Sequence, residues 1–146
     1  MWTRSALALL SKIDLQVDDE ILKIFDAFFR PPLGPEGGGP VFARIFALLA
    51  VGDARDQALV QRLYDPSARL FIDALCQARP TVRREICAWG YSMALGLLTG
   101  AVGRSGRAER LAELPQDAAN DTEALIARLT CYAAGGFAAL SQEVGA

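Results

Sequence analysis

Apolar residues recur along this chain at helical spacing, and one stretch is apolar with no periodicity at all. From Ile86 to Gly103 the sequence ICAWGYSMALGLLTGAVG carries no charged side chain, and it is fenced by Arg83, Arg84 and Glu85 before it and Arg104 after it. Wound as a helix, the run sets Ile86, Trp89, Met93 and Leu97 along one side and Tyr91, Leu95, Leu98 and Val102 along another, so both sides ask for cover. A single domain of this size rarely covers a whole helical circumference, and the second side is expected to pack on another molecule. A bilayer is the competing cover, because the run has the length of a short span and Gly96 and Gly100 form a G-x-x-x-G pair. Gly90, Ser92 and Thr99 dilute it, however, and the next apolar segment, Ala124 to Leu140, carries Arg128 inside. The pattern therefore points to a buried dimer-core helix and to no membrane span.

The remaining segments read as helices around this run. Thr3 to Lys12 makes a short apolar helix. Asp18 or Asp19 then offers an N-cap for a second helix, in which Ile21, Ile24, Phe25 and Phe28 recur at i, i+3, i+4 and i+7. Arg30-Pro31-Pro32 is expected to stop it, and LGPEGGG follows as a loop. Pro40 suits the first turn of a third helix with Phe42, Ile45, Phe46 and Leu49 on one face, ended by Gly52. From Asp53 to about Ala78 a longer helix carries Val60, Tyr64, Phe71, Ala74, Leu75 and Ala78 on one stripe. Pro66 inside it removes a helical hydrogen bond, so a kink or break is expected at Tyr64-Asp65-Pro66. Thr81 is a candidate cap for the central helix. Gly103 to Asn120 is a polar loop with a turn or two of helix. A last helix begins near Asn120, Asp121 or Thr122, aligns Ile126, Leu129, Ala133, Phe137, Leu140 and Val144, and is interrupted by Gly135 and Gly136. Without strand-like alternation or an internal repeat, residues 1–146 form one all-α domain of about six helices.

Glycine inside a helix costs about 1 kcal/mol relative to alanine, a cost met where another backbone comes close. The thin sections around Gly96 and Gly100, and from Ala133 to Ala139, therefore predict a homodimer in which two helices per subunit form a four-helix interface. Leu95, Gly96, Thr99, Gly100, Ala133, Gly136, Phe137 and Leu140 are the expected interface residues. Aromatic residues spread over four helices either line a cavity for an apolar ligand, with Tyr64, Ser92 and Arg69 as polar handles, or pack as plain core. The residues by themselves favour the core.

Composition narrows the function. A chain of 146 residues with 52% hydrophobic content and mean hydropathy +0.22 has ample material for a core. Fifteen basic against seventeen acidic residues and a pI near 5.1 argue against direct nucleic-acid binding. There is no histidine, which removes the usual nucleophile machinery and the commonest metal ligand. Cys76, Cys87 and Cys131 lack C-x-x-C spacing and read as buried small hydrophobes. Gly37 to Gly39 lack the lysine of a phosphate-binding loop, and Glu85, Glu109, Glu113 and Glu123 sit where carboxylates cap helices. No catalytic residue, metal or cofactor is expected, and the chain is not read as an enzyme. Nothing near Met1 resembles a signal peptide, and a cytoplasmic location is expected.

The segment RLYDPSARLFIDALCQARP followed by EICAWGYSMALGLLTG resembles the C-terminal half of a TetR-type bacterial transcriptional regulator, a likeness that runs from about Ser5 to the end. It rests on Leu63-Tyr64-Asp65-Pro66, Arg69, Phe71, Ala74-Leu75 and Pro80, then Trp89, Met93 and Gly96. The resemblance implies a ligand-sensing and dimerisation domain lacking the N-terminal helix-turn-helix, with an apolar small-molecule effector bound among Phe42, Phe46, Tyr64, Phe71, Trp89 and Met93. The alternative is a stand-alone helical protein-interaction module without ligand.

Overall fold

The computed structural model describes residues 19–34, 41, 44–45, 48–49, 51–102, 106–115 and 121–143. Six helices fall among them: α1 Glu20–Leu33, α2 Ala54–Leu63, α3 Asp65–Ala78, α4 Arg84–Val102, α5 Arg107–Leu111 and α6 Thr122–Glu143. Residues 41, 44–45 and 48–49 are also helical, and no strand occurs among the described residues. The fold is all-α. The expected helix at Thr3 to Lys12 lies outside the described residues.

The hub of the bundle is α1, which packs on α3, α4 and α6, while α4 also packs on α3 and α6, and α2 on α3. The stripe Ile21, Ile24, Phe25 and Phe28 is buried as its spacing predicts, and Phe29 joins it with no exposure at all. Rings close the centre: Phe28 meets Phe29 edge-on at 5.1 Å, Phe71 at 5.3 Å and Tyr91 at 5.5 Å, and Phe25 meets Phe137 at 6.2 Å. Such edge-on pairs add to the burial of large apolar area. Arg30 fastens the rim, donating to both carboxylate oxygens of Asp26 one turn back and to Glu123 on α6 at 2.8–2.9 Å.

Several boundaries differ from expectation. Pro31 and Pro32 do not stop α1; they sit buried in its last turn, and the helix closes with Gly34 N–H donating to Arg30 O at 2.9 Å. A proline gives up its own donor and crowds the carbonyl four residues back, and here that cost falls in the final turn, where both rings are buried in the bundle. The helix expected from Asp53 to Ala78 divides at Tyr64 into α2 and α3, because Pro66 occupies the first turn of α3. Asp53 caps α2, its carboxylate accepting from the N–H groups of Arg55 and Asp56. Thr81 is not the cap of the central helix, which starts later, at Arg84, with Cys87 N–H donating to Arg83 O. Asp121 caps α6 through Ala124 N–H at 2.9 Å. Gly135 and Gly136 leave α6 unbroken for 22 residues, since neighbouring turns hold the ladder on either side. Among its described residues the polar loop contains one short helix, α5. Ile45, placed on a core face by its spacing, is exposed, as are Val41 and Leu48.

One helix among the described residues is long and apolar enough to cross a bilayer, and it is α6 over Thr122–Gln142, not the run at 86–103. The stripe Ile126, Leu129, Ala133 and Phe137 of α6 is buried in the bundle, which is how a core helix uses such residues.

Candidate functional site

The central run is covered on one side only. Cys87, Gly90, Ala94, Leu98 and Val102 of α4 face the bundle and are buried, whereas Trp89 and Met93 stand 56% and 51% exposed. Across from them on α6, Tyr132 is 73% exposed. Between the two helices runs a groove of about 320 Å³ lined by Met93, Gly96, Leu97, Tyr132, Gly136 and Leu140, with Gly90, Ala94, Ala133 and Phe137 as its floor. Large apolar side chains normally avoid water, so a contiguous apolar patch of this kind marks a contact surface.

The glycines divide sharply by role. A Cβ placed on Gly90 would lie 2.6 Å from Cδ2 of Phe137, so α4 and α6 touch there within the subunit. The same atom placed on Gly96, Gly100, Gly135 or Gly136 meets nothing within 4 Å. Those four are bare backbone open to an approaching partner. Thr99 is half-buried and satisfies its hydroxyl locally, Oγ1 donating to Gly96 O at 2.9 Å.

Of the eight expected interface residues, Gly96, Ala133, Gly136, Phe137 and Leu140 come together at this groove, and Leu95, Thr99 and Gly100 lie outside its lining. Two of the five are buried within the bundle. Phe137 and Ala133 are 2% and 7% exposed and belong to the subunit's own core, because the stripe that faces α1 and Gly90 also bounds the groove from below. Gly90, which the sequence offered only as one glycine among many, is a point of close helix contact within the chain.

Four of the six expected ligand residues are among the described residues, and these four do not line one pocket there. Phe42 and Phe46 lie outside the described residues. Phe71 is buried against the rings of Phe28 and Tyr91. Tyr64 is half-buried at the α2–α3 junction, where burial raises its phenol pKa, and its carbonyl accepts from Ala68 N–H and Ser67 Oγ. Trp89 and Met93 point out of the bundle instead, since the buried face of α4 is the one carrying Cys87, Gly90 and Ala94. Arg69 and Ser92, the expected polar handles, are exposed. The aromatic that does join Phe71 inside is Tyr91, whose phenol is pushed up to about 12 by burial and by the charge of Asp65.

A second groove, of about 490 Å³, lies between α1 and α6 and is lined by Leu22, Lys23, Asp26, Ala27, Ala127, Thr130 and Cys131. The hydroxyl of Thr130 is buried there without a hydrogen-bond partner. No trio of potential metal ligands forms among the described residues.

A family model described as the tetracyclin repressor-like C-terminal domain matches residues 24–136. No curated protein and no solved structure matches the chain. The matched span runs from Ile24, inside the α1 stripe, to Gly136 in α6, so it takes in α2 to α5 and all of the groove lining except Phe137 and Leu140. The chain belongs to the tetracyclin repressor-like C-terminal domain family.

Proposed function

We propose that this chain is the dimerisation and effector-sensing part of a TetR-like transcriptional regulator, acting in the cytoplasm through a DNA-binding domain outside these residues. The observation that carries the reading is the open α4–α6 face, where Trp89, Met93 and Tyr132 stand exposed beside backbone laid bare at Gly96 and Gly136. Two copies related by a two-fold axis bring four helices together on that face, each copy covering the apolar side chains of the other. Sedimentation or light scattering at micromolar concentration tests it: a dimer is expected, and a monodisperse monomer overturns the reading.

The effector part of the reading sets an apolar small molecule beside Tyr64 and Phe71, apart from the dimer groove, whose lining includes neither residue. A thermal-shift screen of hydrophobic compounds tests it, since ligand at a hundred times its dissociation constant adds about 2.7 kcal/mol. One observation favours a second reading, a helical interaction module without ligand: Phe71 is packed ring against ring with Phe28 and Tyr91. Failure of every compound to raise the melting temperature, with the dimer intact, selects that module.

A further inference from the structure

Small residues leave a gap where α1 and α6 meet at the surface. Ile24 and Phe28 of α1 and Ile126 and Leu129 of α6 are large and buried in the core, but Ala27 and Ala127 beside them fill less space, and the groove of about 490 Å³ opens there. Leu22 and Cys131 form an edge common to this groove and to another of about 570 Å³, which continues along α6 past Gly135 and Ala138 to Gln142. A Cβ on Gly135 would meet nothing within 4 Å, so that stretch of the trench is open. Of the cysteines expected to be buried, Cys87 is, Cys76 is half-buried, and Cys131 is exposed on this edge.

Thr130 is the polar feature of the trench that the fold itself does not use. The residue is 7% exposed, and its hydroxyl has no hydrogen-bond partner among the described residues. A helical hydroxyl ordinarily answers a carbonyl one turn back, as Ser141 does on the same helix by donating to Phe137 O at 2.7 Å. A buried hydroxyl left unpaired is costly, and where it lines a groove of ligand size a bound molecule's polar atom can satisfy it. Rotation about χ1 between staggered positions re-aims the oxygen without moving the helix.

The charges around the groove select a neutral partner. Asp26 is the carboxylate of the lining, and Arg30 already donates to both of its oxygens at 2.9 Å. Lys23 is exposed and keeps its charge in water. A charged head carried down to Thr130 would lose its hydration with no opposite charge freed to meet it, whereas a hydroxyl pairs with another hydroxyl or with a carbonyl alike.

We propose that this trench binds a neutral alkyl amphiphile, an alcohol or ketone, whose oxygen pairs with the Thr130 hydroxyl and whose tail lies along α6 toward Gly135 and Ala138. The groove at Thr130 shares no lining residue with the α4–α6 groove and includes neither Tyr64 nor Phe71, so it is separate from both parts of the proposed function.

The test titrates the full chain with octan-1-ol, read by saturation transfer to the alcohol's proton signals, with octanoate and octylammonium as charged counterparts of the same length. Saturable binding of octan-1-ol is expected within its solubility, with both ions weaker by more than about tenfold. Affinity should rise by up to about fourfold per methylene from butan-1-ol to octan-1-ol. Thr130→Val keeps the branched shape and removes the unpaired hydroxyl, so it should weaken the alcohol several-fold without lowering the urea midpoint. Ala127→Leu sets a larger side chain on an exposed position of the groove wall and should abolish binding with the helix intact. No saturable binding, octanoate held as tightly as octan-1-ol, or unchanged affinity in Thr130→Val overturns the proposal. Binding that survives Ala127→Leu also overturns it, and leaves the effector reading beside Tyr64 standing, because the alcohol then sits elsewhere.

Discussion

Glycine has opposite meanings at two places in this chain. At Gly90 a methyl group would strike the Phe137 ring at 2.6 Å, and at Gly96 and Gly136 it would meet open space. Gly90→Ala is expected to destabilise the fold by about 1–3 kcal/mol through overpacking. Gly136→Ala should leave folding stability unchanged or raise it by up to about 1 kcal/mol from helix propensity. Urea titration of the two variants decides between the roles, and equal midpoints would remove the close contact at Gly90. Tyr91 yields a second expectation. Its pKa stands near 12 in the fold against the ordinary 10.0, so the stabilisation from its neutral, buried phenol is complete below pH 10. It falls away as pH rises from there through 12, the deprotonated form being favoured by unfolding. Melting temperature measured from pH 8 to 12 should drop over that window, and Tyr91→Phe should flatten this part of the decline.

Among elements, α1 carries more of the bundle than its length suggests, because it touches α3, α4 and α6 at once. Two kinds of tie hold it, and they differ in strength. Phe28 meets three other rings in the centre, and Phe28→Ala should cost about 3–5 kcal/mol. Arg30 bridges Asp26 and Glu123 at the rim with its partners substantially exposed, where ion pairs contribute no more than about 1 kcal/mol. Arg30→Gln should therefore shift the unfolding midpoint several-fold less than Phe28→Ala. A shift of similar size would mean that α6 depends on the clamp and not on the aromatic centre.

For the whole molecule the question is what covers the α4–α6 face. Gly136→Leu places a bulky side chain where the subunit itself has room, so the monomer should fold normally while a dimer loses about 1–3 kcal/mol of association to overpacking. Circular dichroism and sedimentation velocity together read both halves of that statement. A net charge of −2 leaves no reason for the chain alone to hold a phosphate backbone. A gel shift at low salt should show no saturable, sequence-dependent retention. Fused to a helix-turn-helix domain, the same chain should supply the two-fold symmetry that spaces half-sites.

The helical class, the buried stripe of α1, the break at Tyr64 and the apolar character of residues 86–103 were legible in the sequence, because each depends on local spacing or on the missing donor of a proline. So was the apolar excess of the central helix, part of which, at Trp89 and Met93, stands exposed. Which side stayed bare was not legible. Periodicity places Trp89 and Met93 on one side of α4 and Tyr91 and Leu98 on another, but both sides are apolar, and only the docking of α1, α3 and α6 chose between them. The same docking turned Phe137 and Ala133 inward and made Gly90 a tight point. These are contacts between helices, set by which surfaces fit, and a sequence without alternation on its faces carries no mark of that choice.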